Sequence, residues 1–131
     1  MRLLNTWLAQ RLKRAGLLDK WHWSSIALNK NFPSEVHRDG NNAGPSIAKS
    51  FGEFTQGGLT YWPNDDGRPP LSTLDDSVSV TLPISGRDVY IYDGRRARKA
   101  EPFDRGDRHS LVFYLQGKAH ENRGTDAARL R

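Results

Sequence analysis

The densest run of chemically able residues is His37-Arg38-Asp39-Gly40-Asn41-Asn42-Ala43-Gly44-Pro45-Ser46. In extended backbone, residues two apart point to the same side, so His37 and Asp39 can reach one cation, imidazole giving nitrogen and carboxylate giving hard oxygen. They would be two of the three protein ligands of a facial triad. Gly40 and Gly44, with the Asn pair, let the backbone turn sharply beside such a site. Alone, a His-x-Asp pair is common and equally marks a surface turn. A second constellation is Asp107-Arg108-His109-Ser110-Leu111-Val112-Phe113-Tyr114-Leu115. As a strand, it puts Arg108 and Ser110 on one face, a guanidinium fork beside a hydroxyl, which suits a carboxylate held in a bidentate pair. His109 then points the other way. The plainer alternative for Arg108 is a rim ion pair with Asp107 or Asp104.

The elements that must position these groups are a helix and a set of short strands. Leu3, Leu4, Trp7, Leu8, Leu12 and Ala15 recur at three- and four-residue spacing, with Arg11, Lys13 and Arg14 between them and Gly16 after them, which predicts an amphipathic helix over 2–15 with a glycine C-cap. This stripe reads as a packing face. From Trp21 onward, β-branched and aromatic segments alternate with Gly, Pro, Asn and Asp, predicting strands over 23–29, 46–54, 58–62, 77–84, 88–92 and 110–115. The turns at Asn64-Asp65-Asp66-Gly67 and Asp93-Gly94 hold residues that tolerate positive φ. The expected organisation is an N-terminal helix over 1–20, a mostly antiparallel β domain over 21–117, and a polar tail over 118–131.

Composition narrows the chemistry. The chain has 131 residues, room for a single domain, and 36% hydrophobic residues, enough for a core. It has no Cys, which removes disulfides, thiolate nucleophiles and Cys-based zinc sites, so any metal must be held by His, Asp or Glu. No apolar run approaches the length of a membrane span, and Met1-Arg2-Leu3-Leu4-Asn5 is unlike a signal peptide. A soluble, intracellular, monomeric protein is expected, with nucleus and cytoplasm both open. The net charge of +5 divides as +5 over residues 1–30, −4 over 31–86 and +4 over 87–131. A basic surface round an acidic centre would suit an anionic substrate or nucleic acid, as scattered solvated arginines would also explain it.

Taken in order, the His-x-Asp pair, Gly52-Glu53-Phe54-Thr55-Gln56-Gly57-Gly58-Leu59-Thr60-Tyr61-Trp62, Asp93-Gly94-Arg95-Arg96-Ala97 and Arg108-His109-Ser110-Leu111-Val112-Phe113 resemble the double-stranded β-helix, a jelly roll of the cupin type, of the 2-oxoglutarate- and Fe(II)-dependent oxygenases. The nearest resemblance is to the branch of the TET and J-binding-protein nucleobase hydroxylases and their algal relatives, over residues 23–116. The resemblance implies Fe(II) and 2-oxoglutarate as cofactors, His37 and Asp39 as the first two iron ligands, Arg108 as the partner of the distal carboxylate of 2-oxoglutarate, and Ser110 assisting. It also suggests Asn29 and Asn31 as residues lining the cosubstrate pocket. The implied reaction is hydroxylation of a C–H bond, with a modified nucleobase as the implied substrate.

The departure from that pattern lies ten residues before Arg108. Where the family commonly has its distal His, this chain has Arg98. A guanidinium stays protonated and has no lone pair to offer a metal. Three outcomes follow: Arg98 pairs with Asp39 and takes the place of the metal, leaving a catalytically silent binding module; His109 or His120 completes the triad instead; or Arg98 stays outside while His37, Asp39 and water hold iron weakly. A jelly-roll binding domain unrelated to oxygenases stands beside these. For the partner, Trp7, Trp21, Trp23 and Trp62 could stack an extruded base, but fit a small core better. Arg95-Arg96-Ala97-Arg98-Lys99 reads either as a phosphate contact or as a solvated turn.

Overall fold

The computed structural model describes residues 2–83 and 89–117. His120, the tail over 118–131, and the expected strand ends at Ile84 and Asp88 lie outside the described residues. Helix α1 spans Arg2–Arg14 and ends as the glycine predicts: Gly16 adopts φ +70, its N–H donates to the Lys13 carbonyl at 3.1 Å, and the Leu17 N–H donates to Leu12 at 2.8 Å. That pair of bonds is a Schellman motif, which satisfies carbonyls the helix itself leaves open.

Among the described residues nine strands follow: β1 Ser25–Lys30, β2 Pro45–Phe51, β3 Thr55–Gln56, β4 Leu59–Tyr61, β5 Val80–Leu82, β6 Tyr90–Asp93, β7 Arg98–Ala100, β8 Phe103–Asp104 and β9 His109–Tyr114. They form an antiparallel sheet in the order β1-β9-β2-β6, a second in the order β5-β4-β7, and the pair β3-β8. The chain is therefore mostly β with one N-terminal helix. Of the expected strands, the one starting at Ser77 begins instead at Val80, because the Asp75 carboxylate accepts from the Ser77 N–H at 2.9 Å and turns Asp76–Val78 into a 3-10 helix. Strand β7 occupies part of the basic stretch read above either as a phosphate contact or as a solvated turn; its Arg and Lys pair internally and so tolerate a ladder position.

Strand alternation divides the core between two faces. Ile47, Leu111 and Phe113 point outward from the larger sheet, onto Leu8 and Leu12 of α1 and onto Trp21. The next residues along, Ala48 and Val112, point inward with Tyr92 and meet Leu59 of the smaller sheet. Two antiparallel sheets facing across such a layer have the arrangement of a β-sandwich. The tryptophans serve packing: Trp21 and Trp62 are buried, and Trp7 and Trp23 lie against Phe113 at ring distances of 6.2 and 5.7 Å. Among the described residues no helix is long and apolar enough to cross a membrane.

Phe113 is 1% exposed and joins helix, β1 and β2 in one cluster. Phe113→Ala is expected to lower the unfolding free energy by about 3–5 kcal/mol, measured by urea denaturation. A loss below about 1 kcal/mol would mean that α1 does not close this face.

Candidate functional site

The inner layer opens into a cavity of about 550 Å³, lined from the larger sheet by Ala27, Asn29, Ala48, Tyr92, Ser110, Val112 and Tyr114, and from the smaller by Leu59, Arg98 and Ala100. His37, Asp39 and the following turn close its mouth. The segment carrying them is held in extended form by backbone pairing with β7: the His37 N–H donates to the Arg98 carbonyl at 3.0 Å, and the Arg98 N–H donates back at 3.1 Å. The Asp39 N–H donates to the Gly94 carbonyl at 2.9 Å. His37, Asp39 and Arg98, 61 residues apart at their extremes, are thus brought to one place by main-chain bonds.

Their side chains complete the cluster. The Arg98 guanidinium donates from Nη2 to Asp39 Oδ2 and from Nη1 to the Gly94 carbonyl at 2.6 Å, and lies over the Tyr92 ring at 5.3 Å. It is 6% exposed, so this charge is largely desolvated and depends on its carboxylate partner. Burial pushes the Tyr92 hydroxyl above its ordinary pKa, opposed by the nearby Arg98 charge. His37 Nδ1 meets the Glu35 carbonyl at 2.8 Å, and a carbonyl only accepts, so Nδ1 carries the proton of this bond. Nε2 then faces Asp39 Oδ1 at 4.0 Å. Gly94 has no positive φ; it is needed for close approach, since a Cβ there would come 2.5 Å from Asn42 Nδ2 and 3.0 Å from Ser46 Oγ.

This donor set does not suit a ferrous ion. One of the two candidate ligands is already bound by a permanent cation, and a metal beside Asp39 would sit against that like charge. Among the described residues no group of three His, Asp or Glu side chains is arranged to hold a metal. His109 is exposed on the face of β9 opposite Ser110, paired in register with Lys30 and Phe51, and does not complete a triad.

Arg108, one residue before β9, is 1% exposed and is not among the residues that line the cavity; its terminal nitrogens are spent on backbone, Nη1 on the Gly57 and Glu101 carbonyls at 2.8 and 2.9 Å, and Nη2 on Phe32 at 3.2 Å. Among the described residues no carboxylate holds it, neither Asp107 nor Asp104, so the rim ion pair is replaced by a buried carbonyl cage. Its plane stacks 4.7 Å from the Phe103 ring, while its Nε is buried without an acceptor among the described residues. Gly57, at φ +77, makes the cage possible, since a Cβ there would lie 2.7 Å from Arg108 Nη1. A keto acid clamped by this guanidinium would have to displace those carbonyls. Ser110 and Asn29 do line the cavity, with Ser110 Oγ 3.2 Å from Ser50 Oγ. Asn31 does not: at φ +54 it turns away, accepting from the Arg108 N–H at 2.8 Å and donating to Asp107 at 2.7 Å.

Sequence reading missed Tyr92, Tyr114 and the clamp beneath the mouth. Arg38, between the two candidate ligands and so facing the other way, forks onto Asp65 with both bonds at 2.7 Å. Asp65 also accepts from the Ala97 N–H at 2.7 Å and the Gly67 N–H at 3.1 Å, tying three loops together. The alternation of Tyr90 and Tyr92 before the Asp93-Gly94 turn was a usable signal for Tyr92; nothing local pairs Arg38 with Asp65. No protein-family model matches this chain, and comparison with curated proteins gives no significant match.

The Arg38 fork, foremost, lowers the Asp65 carboxyl from 3.8 to about 2. A carboxyl depressed in the fold contributes stability above its unfolded pKa and loses it as pH falls toward the folded value. The clamp should therefore contribute about 2 kcal/mol at neutral pH, fading between about pH 4 and pH 2. In Asp65→Asn, denaturation at pH 7 should show that loss, and the acid-side slope should flatten. An unchanged slope would mean the clamp does not form.

Proposed function

We propose that this chain is a metal-independent small-molecule-binding module of the double-stranded β-helix type, related to the 2-oxoglutarate- and Fe(II)-dependent oxygenases, in which Arg98 bonded to Asp39 stands where the resemblance puts the metal. The observation that carries this reading is the desolvated Arg98 guanidinium on the Asp39 carboxylate, locked by the backbone exchange between His37 and Arg98. The carbonyl cage round Arg108 supports it independently, because both terminal nitrogens of the second hallmark cation of the family motif are held by backbone carbonyls of the chain.

The cavity's chemistry favours an uncharged ligand. Its permanent cations are paired, Arg98 with Asp39 and Arg38 with Asp65, and the remaining polar lining is the His37 imidazole with amides and hydroxyls: Asn29, Asn41, Asn42, Gln116, Ser34 and Ser110. Beside these stand Tyr92, Tyr114, Leu59 and Val112. Such a wall fits a neutral organic molecule with both hydrogen-bonding edges and an apolar body, rather than a free dianion.

Anaerobic addition of Fe(II) and then 2-oxoglutarate to the wild-type chain is expected to give no metal-to-ligand charge-transfer band and no succinate. Arg98→His, folded by circular dichroism, should bind Fe(II). A band, or substrate-coupled succinate, in the wild type would overturn the reading, and so would an Arg98→His protein that folds and does not bind Fe(II).

A further inference from the structure

Positive charge is distributed very unequally between the β domain and α1. In the β domain, most described cations are answered by the chain itself: Lys30 by Asp107 at 3.5 Å, Arg95 and Arg96 by Asp93 at 3.1 and 3.5 Å, Lys99 by Glu101 at 3.2 Å, with Arg38 and Arg98 paired as above, while Arg68 and Arg105 are exposed, apart from one another in sequence, and make no ion pair among the described residues. The basic stretch over 95–99, read from the sequence either as a phosphate contact or as a solvated turn, is therefore largely neutralised in place. On α1 the reverse holds. Arg2, Lys13 and Arg14 are exposed and make no ion pair among the described residues, and the helix contains no Asp or Glu. Over residues 1–30 the only acidic residue is Asp19.

Helical phase gathers these cations. At 100° per residue, Arg2, Thr6, Gln10, Lys13 and Arg14 fall on one stripe, all of them exposed, opposite Leu8 and Leu12, which are committed to the core. The stripe runs about 18 Å from Arg2 to Arg14, at about 1.5 Å per residue. We propose that this stripe is a sequence-independent docking surface for the phosphate backbone of a nucleic acid.

The rest of the helix selects among polyanions. Insertion into a lipid surface would need the apolar face, which is already spent on Ile47, Leu111 and Phe113. An acidic protein partner would want an apolar centre to the patch, and the stripe offers Leu3 alone, 84% exposed at one end. What remains is charge with short polar side chains between, matched to a duplex that presents about ten phosphate charges over the same 18 Å.

The test is fluorescence anisotropy of the full-length chain with a labelled mixed-sequence 30-base-pair duplex across a salt series. The wild type should bind at low salt, with log Kd linear in log salt. Arg2→Gln/Lys13→Gln/Arg14→Gln, all at exposed sites, should keep its thermal midpoint while losing about 2.7 from the salt slope, roughly 0.9 per phosphate contact. At 0.1 M salt its affinity should fall by about 500-fold, that slope acting over the decade to 1 M. Arg95→Gln/Arg96→Gln/Lys99→Gln should stay within about twofold of wild type. The proposal fails if the wild type does not bind, if the α1 variant binds as the wild type does, or if polyglutamate or phosphatidylserine vesicles compete as well as unlabelled duplex. None of these outcomes bears on the iron and keto-acid measurements, which probe the cavity alone.

Discussion

A buried guanidinium must be answered, and the answer given to Arg98 organises this molecule. Removed from water, its charge is tolerable only with a carboxylate and carbonyl acceptors at hand. Asp39 and the Gly94 carbonyl supply both, and the main-chain exchange between His37 and Arg98 fixes the pair before any side chain turns. Gly94 must lack a side chain for the turn to close on Asn42, and Tyr92 must be aromatic and inward to cover the guanidinium face. The mouth of the cavity is thus built round an ion pair internal to the chain.

The same logic is repeated at Arg108 by different means. There the acceptors are carbonyls of Gly57, Glu101 and Phe32, brought together from three segments, and the faces are covered by Phe103 and Phe54. Arg38 supplies a third version, a bidentate pair with a fully enclosed Asp65. Three internal arginines, each fastened to backbone or carboxylate, stiffen loops that a small two-layer β structure could not hold by apolar burial alone, since its inner face is interrupted by Asn, Ser and Tyr. Among the described residues the outer stripe of α1 gathers three of the exposed cations not used in this way, Arg2, Lys13 and Arg14. Internal arginines and external ones therefore do different work, and the net charge of the chain describes mainly the second group.

Much of this was legible in the residues themselves. The three-and-four spacing of Leu and Trp with Gly16 after it located α1 to within a residue, and period-two alternation in 109–114 separated the core-facing Leu111 and Phe113 from the cavity-facing Ser110 and Val112. The meeting of Arg98 with Asp39 was one of three outcomes that the family resemblance left open, and the pairing of the His37 segment with β7 is what brings these distant residues together. What could not be read were interactions whose partner has no sequence signature. Backbone carbonyls round Arg108 look like any others, Asn31 at positive φ resembles a pocket asparagine until its turn is seen, and Arg38 and Asp65 lie 27 residues apart with no periodic link. Strand β7 was hidden because Arg-Lys-Ala reads as solvated until each charge is paired.

The ion pair at the cavity mouth is tested most directly by a double-mutant cycle on unfolding free energy with Arg98→Met, Asp39→Asn and the two together. A coupling of about 1 kcal/mol or more is expected, with the double variant more stable than the sum of the single losses implies, since removing both partners leaves no buried charge unanswered. Strict additivity of the two losses would mean that Arg98 and Asp39 do not meet, and the cavity would then have to be understood without that pair.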